Sequence, residues 1–329
     1  MTLNLDTSST PIRSARAGHA HTTLKISPAT PVIGAEVTGI DLRQELDGDT
    51  VAQLRAALLK HKVLAFRDQP ITPEEQIKFS RYFGPVTPAH PITNGLRELP
   101  ELKVNNLRES KAEYASRQIT VDNPLYVPRQ RRTRTGWHVD ITFVANPASI
   151  SLLRGYEIPA FGGDTLFANL EALYESLSPS LRTYLDTLQA IHVRADRDPE
   201  PRFDGRAPGP FASIHPLVTI HPETGKKILF LSGFIQAIHG LRPTESDALL
   251  DLLNDELSGR ADLQYRYRWT QDSIVVWDNR AVAHAGPVDA AHIEGNRIVH
   301  RTTIGGELTR GPDGFVSRPL VGELFNTIS

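Results

Sequence analysis

A mainly β chain with flanking helices is what these 329 residues predict. Two observations carry that expectation. Many short runs of β-branched and aromatic residues are separated by turn residues, and only a few stretches combine helical spacing with capping signals. Short antiparallel strands in such number favour a double-sheet barrel or jelly roll with the helices outside.

The elements follow in order. Residues 1–23, "MTLNLDTSSTPIRSARAGHAHTT", are polar and rich in small side chains and read as a disordered tail, with "GHAH" a chance pair. They hold no apolar stretch of signal-peptide length. Residues 24–329 read as a single domain. "VIGAEVTGIDL" suits a strand with tight turns at Gly34 and Gly39. "DGDTVAQLRAALLKH" places Val51, Leu54, Leu58 and His61 at helical spacing behind acidic caps. "KVLAFRD" is a short buried strand.

In "TPEEQIKFSRYFG", Thr72 and Glu75 form a capping box, Pro73 takes the first helical position and Gly84 ends the helix. A further helix is expected from Ser178-Pro179 through "LRTYLDTLQAIH", and another from Thr244 to Gly259. "ASISLLRGY", "DTLFANL", "LQYRYRWTQDSIVVWDN" and "RIVHRTTIGG" read as strands, and "HPLVTI" and "KKILFL" as a hairpin around "HPETG". Two long loops, roughly 105–135 and 194–213, are candidate lids.

Composition narrows the function. With 36 Lys and Arg against 38 Asp and Glu the net charge is -2, which argues against a dedicated nucleic-acid binder. No stretch reaches transmembrane length. The absence of cysteine excludes disulfides, thiolate zinc sites and cysteine nucleophiles, and suits a reducing cytoplasm. Any metal must be held by His, Asp or Glu.

"GWHVD" supplies two such groups. Residues two apart on a strand share a face, so His138 and Asp140 converge while Val139 points away. Imidazole plus carboxylate suits Fe(II), Mn(II) or Zn(II), although the triplet alone is a weak signal. "SIVVWDNRAVAH" adds His284 beyond an apolar strand and a polar turn. Two histidines and one carboxylate leave one side of an octahedral metal open, as in non-haem Fe(II) oxygenases. In "RIVHRTT", Arg297, Val299 and Arg301 share one face, with Ile298 and His300 on the other. Two arginines facing a barrel interior need anions, either internal carboxylates or a bound ligand.

Taken together, "WHVDITF", "GGDTLFAN", "WDNRAVAH" and "RIVHRTT" resemble the taurine dioxygenase family of Fe(II)- and 2-oxoglutarate-dependent oxygenases, which includes alkylsulfatase and aryloxyalkanoate dioxygenases. The likeness runs from "VIGAEVTGIDL" through "TIGGEL". It implies a double-stranded β-helix, that is, a jelly roll with flanking helices. It implies His138, Asp140 and His284 as iron ligands, and Arg297 with Thr165 as the clamp on the distal carboxylate of 2-oxoglutarate. Arg301 and His90, in "PAHPI", then meet an anionic small-molecule substrate. The implied reaction consumes O2, hydroxylates a C–H bond, and converts 2-oxoglutarate to succinate and carbon dioxide. Family analogy also implies a homo-oligomer.

Three departures shape the substrate. The stretch from His284 to Arg297 is longer than in the taurine enzyme. Thr93 stands where that enzyme has a tyrosine, so taurine itself is not expected. The insert "SKAEYASRQITVDNPLYVPRQRRTRTG" can cover a larger or anionic substrate. The expectation is therefore a sulfate ester, sulfonate or aryloxyalkanoate, with a larger natural-product intermediate as the alternative. A zinc hydrolase or a non-catalytic jelly-roll module gives no reason for Arg297 and Thr165. His192, His215 and His221 are expected to be structural, and Trp137 and Trp277 to pack beside the ligand segments.

Overall fold

The computed structural model describes residues 23–108, 136–195, 202–203, 205–206, 209–287 and 289–326. The tail expected at 1–23 lies outside them apart from Thr23, as do 109–135 and most of 196–208 within the two expected loops. In chain order the strands begin with β1 (Lys25–Pro28), β2 (Ala35–Thr38), β3 (Val63–Phe66), β4 (Lys103–Asn106), β5 (Ile150–Glu157), β6 (Thr165–Asn169), β7 (Gln189–Arg194) and β8 (Phe211–Pro216). They continue with β9 (Val218–Ile220), β10 (Lys227–Leu229), β11 (Ile235–Ile238), β12 (Gln264–Tyr267), β13 (Ile274–Asp278), β14 (Val282–Ala285), β15 (Ile298–Ile304) and β16 (Arg318–Val321). The helices are α1 (Gly48–His61), α2 (Pro73–Arg81), α3 (Leu170–Ser176), α4 (Pro179–Leu185) and α5 (Pro243–Gly259).

The large sheet runs β1-β2-β3-β13-β5-β15-β4, antiparallel except for the parallel pair β2 and β3. Three smaller sheets, β12-β6-β14, β11-β7-β8-β16 and the expected hairpin β9-β10, make up the rest. The alternation of β13 shows why the layers stack as they do. Ile274 and Val276 point towards α1 and α2, where they meet Leu54, Leu58 and Phe79. Val275 and Trp277 point the other way and meet Phe167 of β6 and Val282 of β14. A strand buried on both faces reads as a continuous apolar run, as "SIVVW" does. Each such side chain contributes roughly 1.5–3 kcal/mol on burial. This is a jelly roll with helices outside, as expected.

Local signals set the helix ends. Asp47 accepts the Thr50 N–H at 2.7 Å to start α1. Thr72 Oγ1 accepts the Glu75 N–H at 3.2 Å while Glu75 Oε2 accepts the Thr72 N–H at 2.7 Å, which completes the capping box on α2. The helix expected from Ser178 to His192 is shorter: α4 ends at Leu185, and Gln189–Arg194 is strand β7, paired with β8 and β11. Leu185, Leu188 and Ile191 recur every three residues and imitate a helix, but Ala190 and His192 alternate with Gln189 and Ile191 in burial. Helix α5 is capped at Arg242 rather than at Thr244. Asn105 and Asn106 belong to β4, and Phe211–Ser213 to β8, so the two expected loops are shorter at those ends. Among the described residues no helix is long and apolar enough to cross a membrane.

Among the histidines buried in this frame are His90, His192 and His215. Burial drives the His215 imidazole down to about 4. It takes His192 well below its ordinary 6.5, with His215 adding to the effect, and His90 likewise, with the Lys103 and Arg301 cations adding. The unfolded chain therefore binds more protons than the native one below pH 6.5. Stability from this source is complete above 6.5 and is lost as pH falls towards 4. Each group contributes about 1.4 kcal/mol per pH unit. From these three groups, urea unfolding at pH 5.5 should show about 4 kcal/mol less stability than at pH 7, and a flat profile would contradict the buried neutral assignment. Thr72→Ala should cost about 1 kcal/mol in the same assay at neutral pH, through loss of the cap.

Candidate active site

Strand β14 ends the three-stranded sheet, and its free edge is taken by the segment that carries the His-x-Asp triplet. The His138 N–H donates to the His284 carbonyl at 2.9 Å, and the His284 N–H returns the bond at 2.8 Å. This two-way pairing sets the imidazoles side by side with ring centroids 4.2 Å apart. Asp140 Oδ1 lies 3.8 Å from Nε2 of each histidine. The donor atoms of the three side chains all lie within 4.8 Å of one another.

Each side chain is oriented from behind. His138 Nδ1 donates to the Gly136 carbonyl at 2.9 Å, which leaves the Nε2 lone pair facing Asp140. His284 is held down to about 3, mainly by burial and then by His138, so it is a neutral imidazole. Trp277, fully buried as expected, sets its ring 4.8 Å from His284. Trp137 is buried in the core beside its own ligand segment. Burial alone would raise the Asp140 carboxyl, but the Arg301 guanidinium and the flanking imidazoles hold it well below the ordinary carboxylate range. Ser151 Oγ donates to Asp140 Oδ2 at 2.9 Å.

Asn279 was not singled out by sequence reasoning, which saw only a polar turn. Its side chain accepts the Asp140 N–H at 2.9 Å, and its amide donates to the Asp140 carbonyl at 3.2 Å and to the Ala148 carbonyl at 2.8 Å. The turn itself is pinned by Asp278, which takes Arg280 on both oxygens at 2.8 and 2.6 Å and His221 at 3.0 Å. The "WDNR" stretch is therefore a bracket for Asp140 as well as the lead into His284.

These groups open onto a cavity of about 530 Å³ that also contains Thr165, Arg297, Val299 and Arg301. The shared face expected for Arg297, Val299 and Arg301 is present. The two arginines differ in partner. Arg301 Nη1 is 3.0 Å from Asp140 Oδ1, an internal carboxylate, and Nη2 reaches the Ala89 carbonyl at 3.4 Å. Arg297 makes no ion pair among the described residues. Its Nε donates to the Gly163 carbonyl at 2.7 Å and its Nη2 to Thr165 Oγ1 at 3.4 Å. Burial lowers its guanidinium to about 10, against the pull of Asp289 and Asp164.

Two features hold this end of the cavity. Trp269 Nε1 donates to Thr165 Oγ1 at 3.0 Å, a partner nothing in the sequence marked. Gly162 and Gly163 have φ +79° and +75°, and a Cβ on Gly163 would stand 2.8 Å from Arg297 Cδ, so the "GG" of "GGDT" suits a left-handed backbone and, at Gly163, a close approach. The Gly163 N–H is taken by both oxygens of Asp289, at 3.1 and 3.2 Å, from the long stretch between His284 and Arg297. His90 is buried beside the cavity and does not line it. Its Nδ1 accepts the Ile92 N–H at 3.1 Å, and its ring packs edge-on to Phe143.

The sequence matches the family described as "Taurine catabolism dioxygenase TauD, TfdA family" over residues 25–303. It is 35% identical over 305 residues to an alkylsulfatase of Acinetobacter baylyi, covering 88% of each chain. It is 33% identical over 318 residues to an alpha-ketoglutarate-dependent sulfate ester dioxygenase of Pseudomonas putida, covering 92% of this chain and 96% of that one. Among solved structures, a taurine dioxygenase from Burkholderia xenovorans superposes with a TM-score of 0.76 at 37% identity, over 91% of this chain and 95% of the other. With the jelly roll, the His-Asp-His cluster and a match of this length in agreement, the chain belongs to the TauD/TfdA family of dioxygenases.

Proposed function

We propose that this protein is an Fe(II)- and 2-oxoglutarate-dependent dioxygenase that hydroxylates a C–H bond of a small organic anion, a sulfate ester first, with sulfonates and aryloxyalkanoates as the wider class. The observation that carries the reading is one cavity with the three-residue cluster at one end and, at the other, a buried guanidinium that makes no ion pair among the described residues. The donor set fits the metal. Two imidazole nitrogens and an ionised carboxylate oxygen converge on one point, with Asp140 Oδ1 3.8 Å from each Nε2. The far end fits the cosubstrate. Arg297 offers a planar fork in a dry site, where a carboxylate offsets the cost of burying the cation.

In the proposed enzyme His138, Asp140 and His284 hold iron, and Arg297 and Thr165 hold the distal carboxylate of 2-oxoglutarate. Iron with 2-oxoglutarate supplies the oxygen activation and C–H oxidation when bound. The chain supplies placement. Arg297, pinned by Gly163 and Thr165, fixes the depth and direction in which a dicarboxylate can enter. Trp277, Leu153 and Val299 line the cavity and exclude water from its wall. Arg301 keeps Asp140 ionised and lines the same cavity, so its guanidinium favours an anionic group on that side of the metal site. Hydroxylation of the carbon that bears a sulfate gives a hemiacetal-like product that collapses to an aldehyde and sulfate. A reducing cytoplasm, where Fe(II) persists, is the compartment we propose.

Anaerobic addition of Fe(II) and then 2-oxoglutarate to metal-free protein tests the cofactor assignment. A weak visible charge-transfer band should appear, and Arg297→Ala should weaken 2-oxoglutarate binding about 10- to 100-fold while leaving Fe(II) binding intact. Iron binding without a band would remove 2-oxoglutarate from the proposal. Succinate release across a substrate panel tests the substrate class. Medium-chain alkyl sulfates should be turned over with release of sulfate, and the corresponding neutral alcohols should not. Preference for the neutral set would favour the alternative of a larger natural-product substrate.

A further inference from the structure

His192 on β7 and His215 on β8 are completely buried, yet neither lines the cavity. Both reach the same residue, Thr142, two positions beyond Asp140. The hydrogen-bond directions in this cluster are determined by its neighbours. Ser232 Oγ accepts the Val139 N–H at 3.2 Å and donates to the Val139 carbonyl at 3.3 Å. Its one hydrogen is therefore committed, so the Thr142 hydroxyl, 3.2 Å away, is the donor to Ser232. Thr142 can then only accept from His192 Nδ1, at 2.8 Å. His192 thus carries its proton on Nδ1, and its Nε2 is a buried lone pair without a hydrogen-bond partner among the described residues.

His215 grips the other side of the same residue. Its Nε2 lies 2.7 Å from the Thr142 carbonyl, which can only accept, so Nε2–H donates. Its Nδ1 then accepts from the Ser317 hydroxyl at 2.8 Å. The result is a directed chain from His192 through Thr142 and Ser232 to the Val139 peptide, with His215 locking the Thr142 carbonyl. Val139 lies between the ligands His138 and Asp140.

The segment so enclosed is strained. Ile141 has φ +50°, a left-handed conformation that a β-branched residue adopts only where the surroundings over-determine it. Its side chain is buried with Phe143, Val144 and Phe211, so packing holds the side chain while the hydrogen-bonded chain holds the backbone on both sides. That turn directs the Asp140 carboxylate towards the two imidazoles.

We infer that His192 and His215 are positioning residues for the metal centre: by clamping Val139 and Thr142 they hold the strained turn at Ile141 and so set the direction of the Asp140 carboxylate. The inference rests on reading His138, Asp140 and His284 as the metal site. It assigns two histidines with no route to substrate a role in metal affinity.

Co(II) is a suitable probe, because its visible spectrum reports ligand number and geometry as well as binding. Metal-free protein should bind one Co(II), and Asp140→Ala should lose it. His192→Phe, which keeps bulk and removes the donor, should raise the Co(II) dissociation constant about 10- to 100-fold and alter the spectrum. His192→Asn, whose amide N–H can take the place of Nδ1–H, should return to within roughly threefold of the parent. A folded His192→Phe protein with parental affinity and spectrum overturns the inference. Should that variant fail to fold, Thr142→Val decides by the same two readouts: loss is expected, and parental behaviour overturns it. If the parent binds no Co(II), or binding survives in Asp140→Ala, the metal-site reading itself is wrong and this inference falls with it.

Discussion

The two-way backbone pairing between His138 and His284 is the constraint on which the site depends. It joins two segments separated by more than a hundred residues and makes the geometry of the His-Asp-His cluster a product of sheet formation. Antiparallel residues that exchange both main-chain bonds have fixed side-chain separations. The imidazoles therefore need no flexible loop to bring them together. Asp140 lies just outside that ladder and is held by other means: Asn279 on its backbone, Ser151 and Arg301 on its carboxylate, and the clamped turn that follows it.

The layers around this pairing have distinct tasks. The β13 strand, buried on both faces, ties the helices to the inter-sheet core and leads into the Asp278–Arg280 turn. Salt bridges at that turn are closed and internal, so its charge is spent on holding the bracket. At the other end of the cavity Arg297 is held by a carbonyl and a hydroxyl, which leaves its positive charge available. The same side-chain type thus closes an internal ion pair at position 280 and, in the proposed enzyme, receives the cosubstrate at position 297.

How much of this was legible follows from the range of each signal. The ligand triplet and the face shared by Arg297, Val299 and Arg301 could be read because strand periodicity is local. The capping box of α2 could be read for the same reason. The family resemblance supplied Thr165 and the jelly-roll topology, which strand patterns alone could not choose. Long-range pairings were not readable. Nothing near Arg301 announces that its partner is Asp140, 161 positions earlier, or that Trp269 will meet Thr165. Helix α4 was overextended because leucine spacing in "YLDTLQAIH" satisfies both periods until β8 and β11 supply partners for β7. His90 falls beside the cavity instead of on its wall, since one loop residue gives no information on depth.

The burial of Arg297, which makes no ion pair among the described residues, has a consequence for the stability of the empty protein. A cation buried without an acid partner costs stability in the empty protein. A dicarboxylate that binds it offsets part of that cost, and any ligand selective for the native state raises stability in proportion to the logarithm of its concentration. If 2-oxoglutarate is that dicarboxylate, the stability of the folded chain is linked to the supply of the metabolite it consumes, and a scarce supply leaves a larger fraction of chains unfolded.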